Sequence, residues 1–244
     1  MAGISIIVPT LNEAKLVEQT LSQFTVGLKE KYSLEVIVSD GGSTDSTLGI
    51  AAKYADKIIH ADLSKKQNIA SGRNYGAANA SKDILYFFNA DTRIPDIVKF
   101  FRLTSKQFDD KQISALTCKV KVFPEEKKLS DKLFHAFYNN YVRVVNVLGF
   151  GMGRGECHML RKNVFNELNG YDETLEAGED FDLYRRLHDR KLGKIKFINE
   201  LVVYESPRRY RRYGYAKVFF DWTKNAISVV MRNKSISKNW EEVR

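Results

Sequence analysis

Apolar positions along this chain keep two rhythms. Ile4 to Val8, Leu34 to Ser39 and Ile84 to Phe88 are short, nearly continuous apolar runs, as expected of strands buried on both faces. Between them the apolar residues spread to helical spacing, as at Val17, Leu21, Phe24 and Leu28. The spacing predicts one helix there, a second capped by Ser43 or Asp45 and running to about Tyr54, a third over 67–80, and a fourth over 95–108 with Pro95 at its start. Lys57 to His60 adds a short strand. Strands alternating with helices predict an α/β fold: a Rossmann-like, mainly parallel central sheet flanked by helices on both faces.

The second half has another texture. Residues 114–123 read as a long alternating strand and 129–148 as an aromatic-rich amphipathic helix, followed by the glycine-spaced loop Gly149-Phe150-Gly151-Met152-Gly153. A strand over 157–160, a short helix over 162–168, a helix entered at Gly178 and running to about Arg190, and a last strand over 195–204 complete the series. After it come the basic run Pro207 to Tyr213 and a basic amphipathic segment carrying Val218, Phe219, Trp222, Ile227, Val230 and Met231. No repeat or low-complexity linker divides the chain.

At 244 residues, 43% hydrophobic and 28% charged, the composition suits one large α/β domain with a C-terminal helical extension. The two cysteines, Cys118 and Cys157, supply neither a zinc spacing nor a disulfide framework, which predicts a reducing, cytoplasmic setting. Residues 1–5 lead straight into a strand-like run without a basic region and long apolar core, so no signal peptide is expected, and no run approaches a bilayer span. The net charge of +9 is compatible with nucleic acid, a nucleotide-linked substrate or an acidic membrane surface, and does not choose among them.

Candidate chemistry gathers where elements end. Pro9-Thr10-Leu11-Asn12-Glu13 follows the first strand, where polar side chains and free backbone N–H groups can hold a ligand or merely cap a helix. Asp40 precedes Gly41 and Gly42, a turn that lets backbone approach a ligand while the carboxylate accepts from a base or ribose. No Gly-x-Gly-x-x-Gly or Walker loop accompanies it, which weakens dinucleotide and ATPase readings. Asn89-Ala90-Asp91 ends the third apolar run. On an extended segment Asn89 and Asp91 point the same way, so Asp91 could bind magnesium or manganese beside the neutral Asn89 oxygen. Glu179 and Asp180 open an amphipathic helix after Gly178; they are either dipole partners or, for Asp180, a general base projecting into a cleft.

Taken in order, these motifs resemble the family 2 glycosyltransferases of GT-A fold. The resemblance rests on Ile6 to Glu13, Val38 to Asp45, Gly72-Arg73-Asn74-Tyr75-Gly76, Asn89-Ala90-Asp91, and Asn169 to Glu173 leading into Gly178-Glu179-Asp180. It covers about the first four-fifths of the chain. It implies a GT-A domain over 1–205, with a nucleotide half about 1–92 and an acceptor half about 93–205, followed by the basic amphipathic extension 206–244.

The implied roles fall residue by residue. Pro9, Thr10, Asn12, Glu13, Asp40, Gly41, Arg73, Asn89, Ala90 and Asp91 would bind the nucleotide sugar. Asp91 would hold a divalent metal, Mg2+ or Mn2+, on its diphosphate, and Asp180 would be the catalytic base of an inverting, non-processive transfer. Glu179, Gly153, Arg154, Arg208 and Arg209 would stand on the acceptor side. The implied partners are a UDP- or GDP-type sugar and a glycan, lipid-linked or small-molecule acceptor, with no nucleic acid. Peripheral contact with the inner face of a membrane and a homodimer stay open.

Three departures bear on these roles. Asn89 replaces the first acid of the usual Asp-x-Asp, Glu205 stands where many relatives present a metal-binding His, and the Gln-x-x-Arg-Trp motif of processive synthases is absent. A nucleotidyltransferase would want a glycine-rich basic loop within 9–16, which is missing. The other alternative is a non-catalytic GT-A-like module binding anionic membrane or nucleic acid through Arg208 to Arg212.

Overall fold

The alternation of apolar runs becomes a seven-stranded sheet in a computed structural model that describes residues 2–62, 64, 67–232 and 234–236. The strands are β1 (Ile4–Thr10), β2 (Leu34–Asp40), β3 (Lys57–His60), β4 (Ile84–Phe88), β5 (Ile113–Val122), β6 (Cys157–Arg161) and β7 (Lys194–Glu205). Their spatial order is β3-β2-β1-β4-β6-β5-β7. β6 alone runs against its neighbours β4 and β5; every other pair is parallel.

Both faces of the sheet are covered, which is why its central strands carry no polar alternation. Ile4, Ile6, Val8, Tyr86 and Phe88 face a core made with α1 (Val17–Leu21), α2 (Val26–Tyr32), α3 (Thr47–Ala51) and α5 (Ile97–Phe108). The alternate residues Ile7, Ile37, Leu85 and Phe87 face α4 (Ile69–Ala78), α7 (Lys162–Glu167) and α8 (Glu179–Asp189). Gly76 lies so close to Ile7 that an added Cβ would collide with that side chain.

The expected single helix over Val17 to Leu28 is two helices. Phe24 N–H donates to Leu21 O in a tight turn, and Thr25 is extended (ψ 159°) before α2 begins. Thr25, Val26 and Gly27 are weak helix formers, which leaves the break little to overcome. The helix expected to be capped by Ser43 or Asp45 is the short α3, whose N-cap position is Ser46; Asp45, one residue earlier, accepts from Thr47 N–H at 2.9 Å. Pro95 precedes rather than opens α5; Asp96 caps it, accepting from Lys99 N–H at 2.9 Å.

Of the segment 206–244, positions 233 and 237–244 lie outside the described residues. Its helices α9 (Arg208–Tyr213) and α10 (Tyr215–Arg232) pack on α6 (Leu129–Val147): Phe134 meets Tyr210, Tyr215 and Trp222, and Tyr138 meets Trp222. Among the described residues no helix is long and apolar enough to cross a membrane. Cys118 and Cys157 are buried free thiols.

Candidate active site

The strand order reverses at β1, with β2 on one side and β4 on the other, and a crevice forms at the carboxyl ends of these strands as expected at such a switch point. One lobe, about 300 Å³, is lined by Pro9, Thr10, Glu13, Gly41, Ala90 and Asp91 among others. A second lobe of about 180 Å³ holds Arg73, Gly153, Arg154, Glu179 and Asp180. Ile69, Asn89, Glu156, Arg209 and Trp222 line both, so the lobes form one cleft.

Asp40 and Asn12 are spent on holding the first lobe's rim together. The Asp40 carboxylate accepts from Thr10 Oγ1 at 3.0 Å, Gly42 N–H at 3.0 Å, Ser43 N–H at 2.8 Å and Ser43 Oγ at 2.5 Å. Asn12, with φ 51°, accepts through Oδ1 from Thr44 N–H at 2.7 Å while its own N–H donates to Ser43 Oγ at 2.8 Å. Both side chains tie the loops after β1 and β2 to each other; Thr10 and Gly41 are among what the lobe's wall presents.

Asn89, Ala90 and Asp91 do not continue the strand. They form a turn in which Thr92 N–H donates to Asn89 O at 3.1 Å, so the expected side-by-side projection of Asn89 and Asp91 is replaced by a division of labour. Asn89 Oδ1 accepts from Arg73 Nη2 at 3.1 Å, and Ala90 O from Thr20 Oγ1 at 2.7 Å. Asp91, 8% exposed, is left to the lobe. Burial pushes its carboxyl up to about 6; Arg208, 3.5 Å away, opposes this, and Glu13 and Glu156 add to it.

Arg208, expected on the acceptor side, stands in this acid group. It clamps Glu13 with two bonds, 2.8 and 2.6 Å, across a sequence gap of 195. Arg154 is likewise engaged: buried over the Tyr138 ring, it pairs with Glu156 at 3.2 Å and Glu205 at 3.3 Å, and Tyr210 donates to Glu205 at 2.8 Å. Burial and the Glu156 charge raise Glu205 well above the usual carboxylate range, while Arg154 holds Glu156 low.

On the second lobe Gly178 sits at φ 86° ahead of α8, the left-handed conformation glycine adopts freely, and aims the first turn of that helix at the cleft. Arg73, 1% exposed, pairs with Glu179 at 2.7 Å, donates to Gly155 O at 2.8 Å and lies over the Tyr171 ring. Asp180 Oδ2 accepts from Gly155 N–H at 2.9 Å and Oδ1 from Phe181 N–H at 2.8 Å. Burial first, then the Glu179 charge, push its carboxyl up to about 7 against the pull of Arg73. Such a group can take a proton near neutral pH. Gly153 has no room for a side chain: a Cβ there would stand 2.6 Å from His158 Nε2 and 2.7 Å from the Tyr184 ring.

The donor set around Asp91 fits a hard dication. Its oxygens are carboxylates whose mutual repulsion is only partly offset by Arg208. Among the described residues no three acid, histidine or cysteine side chains come close enough to cage a metal, so Asp91 would need further ligands from substrate or water.

The chain matches Glycosyl transferase family 2 over residues 5–168. It belongs to that family. The probable glycosyltransferase YdaM of Bacillus subtilis is 25% identical over 219 residues, 83% of this chain and 50% of that protein. The succinoglycan biosynthesis protein ExoA of Rhizobium meliloti is 26% identical over 204 residues, 78% of this chain and 57% of that one. The chain thus spans little more than half the length of these relatives.

Solved GT-A transferases share the fold. The mannosyltransferase PcManGT from Pyrobaculum calidifontis, in complex with GDP-Man and Mn2+, superposes with a TM-score of 0.67 at 21% identity, covering 90% of this chain and 65% of its own. Glucosyl-3-phosphoglycerate synthase from Mycobacterium tuberculosis, with Mn2+, UDP and glucosyl-3-phosphoglycerate, gives 0.62 at 18% identity, covering 94% and 79%.

Glu156 is the residue sequence reading missed. It sits in a loop ahead of β6, and only the antiparallel insertion of β6 beside β4 carries it to Asp91 and Arg154. Its neighbour Gly155 was the available signal, a glycine hard against Arg73 and Asp180.

Proposed function

We propose that the cleft transfers a sugar from a nucleoside-diphosphate sugar, of UDP or GDP type, to an acceptor hydroxyl with inversion at the anomeric carbon. One observation carries the reading: a single cleft holds a crowded acid group at Asp91 in one lobe and, in the next, beside the Arg73-paired Glu179, the Asp180 carboxyl raised to about 7. The related PcManGT was solved with GDP-Man and Mn2+.

Thr10, Gly41 and the Pro9 wall bind the nucleoside, and Asp91 would hold a divalent ion, Mg2+ or Mn2+, which when bound would offset negative charge on the departing diphosphate. In the other lobe Asp180 accepts the proton of the acceptor hydroxyl. The freed oxygen forms a bond to the anomeric carbon as the bond from that carbon to the diphosphate oxygen breaks, and the nucleoside diphosphate leaves with the electron pair. Arg73 holds Glu179 in place, and the Glu179 charge helps keep Asp180 basic enough for this step.

The test is Asp180→Asn. Release of nucleoside diphosphate from a panel of UDP- and GDP-sugars, offered simple sugars and polyprenyl phosphates as acceptors, should fall about a thousand-fold while donor binding persists. Turnover within about tenfold of the wild type would refute the assignment. For a surviving product, NMR of the anomeric proton reads inversion or retention directly.

A further inference from the structure

Helix α6 presents three faces, and the transfer chemistry uses only one. Phe134 and Tyr138 pack against α9 and α10. A second face closes a separate cavity of about 360 Å³ against β5 and β7, which shares no lining residue with the cleft but backs onto it where Asn139 meets Arg154 and His135 faces Glu205. Lys119, Lys121, Lys127, Lys132 and Arg143 line this cavity, and among the described residues none of the five is ion-paired. Its one carboxylate, Asp131, is already taken by Arg211 at 2.6 Å. His135, 2% exposed, lies in the cavity wall with neither ring nitrogen in a hydrogen bond; Nε2 is 3.7 Å from Glu205, too far for one. A buried polar group without a partner costs stability unless a ligand supplies one.

The third face is apolar and bare. Leu129, Leu133, Phe137, Tyr141, Val144 and Leu148 recur three or four residues apart, with Leu129 71% and Leu133 63% exposed. Phe137 touches Phe219, which abuts the exposed Phe220, so the stripe continues onto α10. Exposed large apolar side chains in one stripe mark a docking surface. Lys132 and Arg143 stand on the same helix between stripe and cavity, as cationic side chains do at a lipid interface.

We propose that α6 docks on an anionic phospholipid surface, a headgroup phosphate entering the basic cavity while the stripe from Leu129 to Leu148 enters the acyl boundary. The charge complementarity of five unpaired cations beside an apolar face selects this occupant over an uncharged apolar partner. The inference does not depend on sugar transfer: His135 and Asn139 of the cavity wall back onto Glu205 and Arg154 of the cleft, but the five cations and the apolar stripe line neither lobe.

Vesicle co-sedimentation of the full chain tests it. The wild type should sediment with vesicles of equal phosphatidylcholine and phosphatidylglycerol and remain in solution with phosphatidylcholine alone. Lys121→Gln with Lys132→Gln should weaken partitioning roughly thirty-fold, at about five-fold for each basic residue removed. Leu133→Ser with Phe137→Ser should weaken it at least as much, and Lys99→Gln with Lys106→Gln on α5 should leave it unchanged. An unchanged melting temperature in each variant shows that folding is intact.

Equal binding to both vesicles, or full binding by the charge variant, would overturn the proposal. So would binding of micromolar glycerol phosphate in the absence of lipid, read by calorimetry, which would mark a small-anion site. A stable dimer that Leu133→Ser dissolves would assign the stripe to a second copy of this chain instead.

Discussion

The cleft rim and the outer flank of α6 treat their polar and apolar groups in opposite ways. At the ends of β1, β2 and β4 the polar side chains are committed: Asp40 accepts four hydrogen bonds, Arg73 holds Glu179, Asn89 and Gly155, and Arg208 clamps Glu13. Along α6 a row of large apolar side chains stays largely exposed, and a set of cations beside it has no ion pair among the described residues. A rim whose groups are fixed before a ligand arrives is preorganised for chemistry. A flank that leaves its groups unsatisfied is finished only by something outside the molecule.

The comparison breaks first at Asp180. If the rim is preorganised chemistry, Asp180→Asn should lower the transfer rate by about a thousand-fold, roughly 4 kcal/mol of barrier, with donor affinity unchanged in a binding titration. If the α6 faces differ as described, Phe134→Ala should lower stability by about 3 kcal/mol, because it strips contacts with Tyr138, Tyr210 and Tyr215. Denaturant unfolding measures that loss. Gly153→Ala should cost about 2 kcal/mol by driving a methyl into Tyr184 and His158, again read by denaturant.

The pH dependence has a worked sign. Asp180 carries its proton below about 7 and is a base above it, so the transfer rate should rise about tenfold per pH unit up to about 7 and then level. Stability runs the other way for this group. The folded form holds the proton more tightly than the unfolded chain, so its contribution is full below the ordinary value of 3.8 and is lost as pH climbs to about 7. A pH–rate profile with no break between 6 and 8 would remove Asp180 from the base role. The smallest expected effect is the sharpest contrast: Leu133→Ser, on the bare face of α6, should change stability by less than about 0.5 kcal/mol.

Much of the rim is legible in the residue order alone. The apolar runs of β1, β2 and β4 are unbroken because both sheet faces are buried, and each ends in a polar group that chemistry can use: Thr10, Asp40, Asn89 with Asp91. Residue type and place in the series locate these groups. Their partners are not legible in the same way. Asp40 looks like a ligand for a nucleotide, yet its oxygens are drawn into the turn by Gly42 and Ser43, a matter of backbone direction that no spacing records.

The greatest gap lies in long-range pairs. Arg208 reads as part of a basic run, and only the packing of α9 on α6 swings it back to Glu13. The basic cavity escapes notice for the same reason, since its lysines come from β5, the following loop and α6, and look like ordinary solvated charges one at a time. The break between α1 and α2 is visible in outline at Thr25-Val26-Gly27, but the continuous apolar spacing across it points the other way.

The central claim is that the first lobe takes a nucleoside diphosphate through a metal held at Asp91. Calorimetric titration of UDP and GDP, with and without manganese, on the wild type and on Asp91→Ala tests it most directly. The account predicts that one of the two nucleotides binds the wild type only when manganese is present, and that Asp91→Ala weakens this binding by roughly a hundred-fold, about 2.7 kcal/mol. Binding indifferent to both manganese and Asp91, or no binding of either nucleotide, would contradict it.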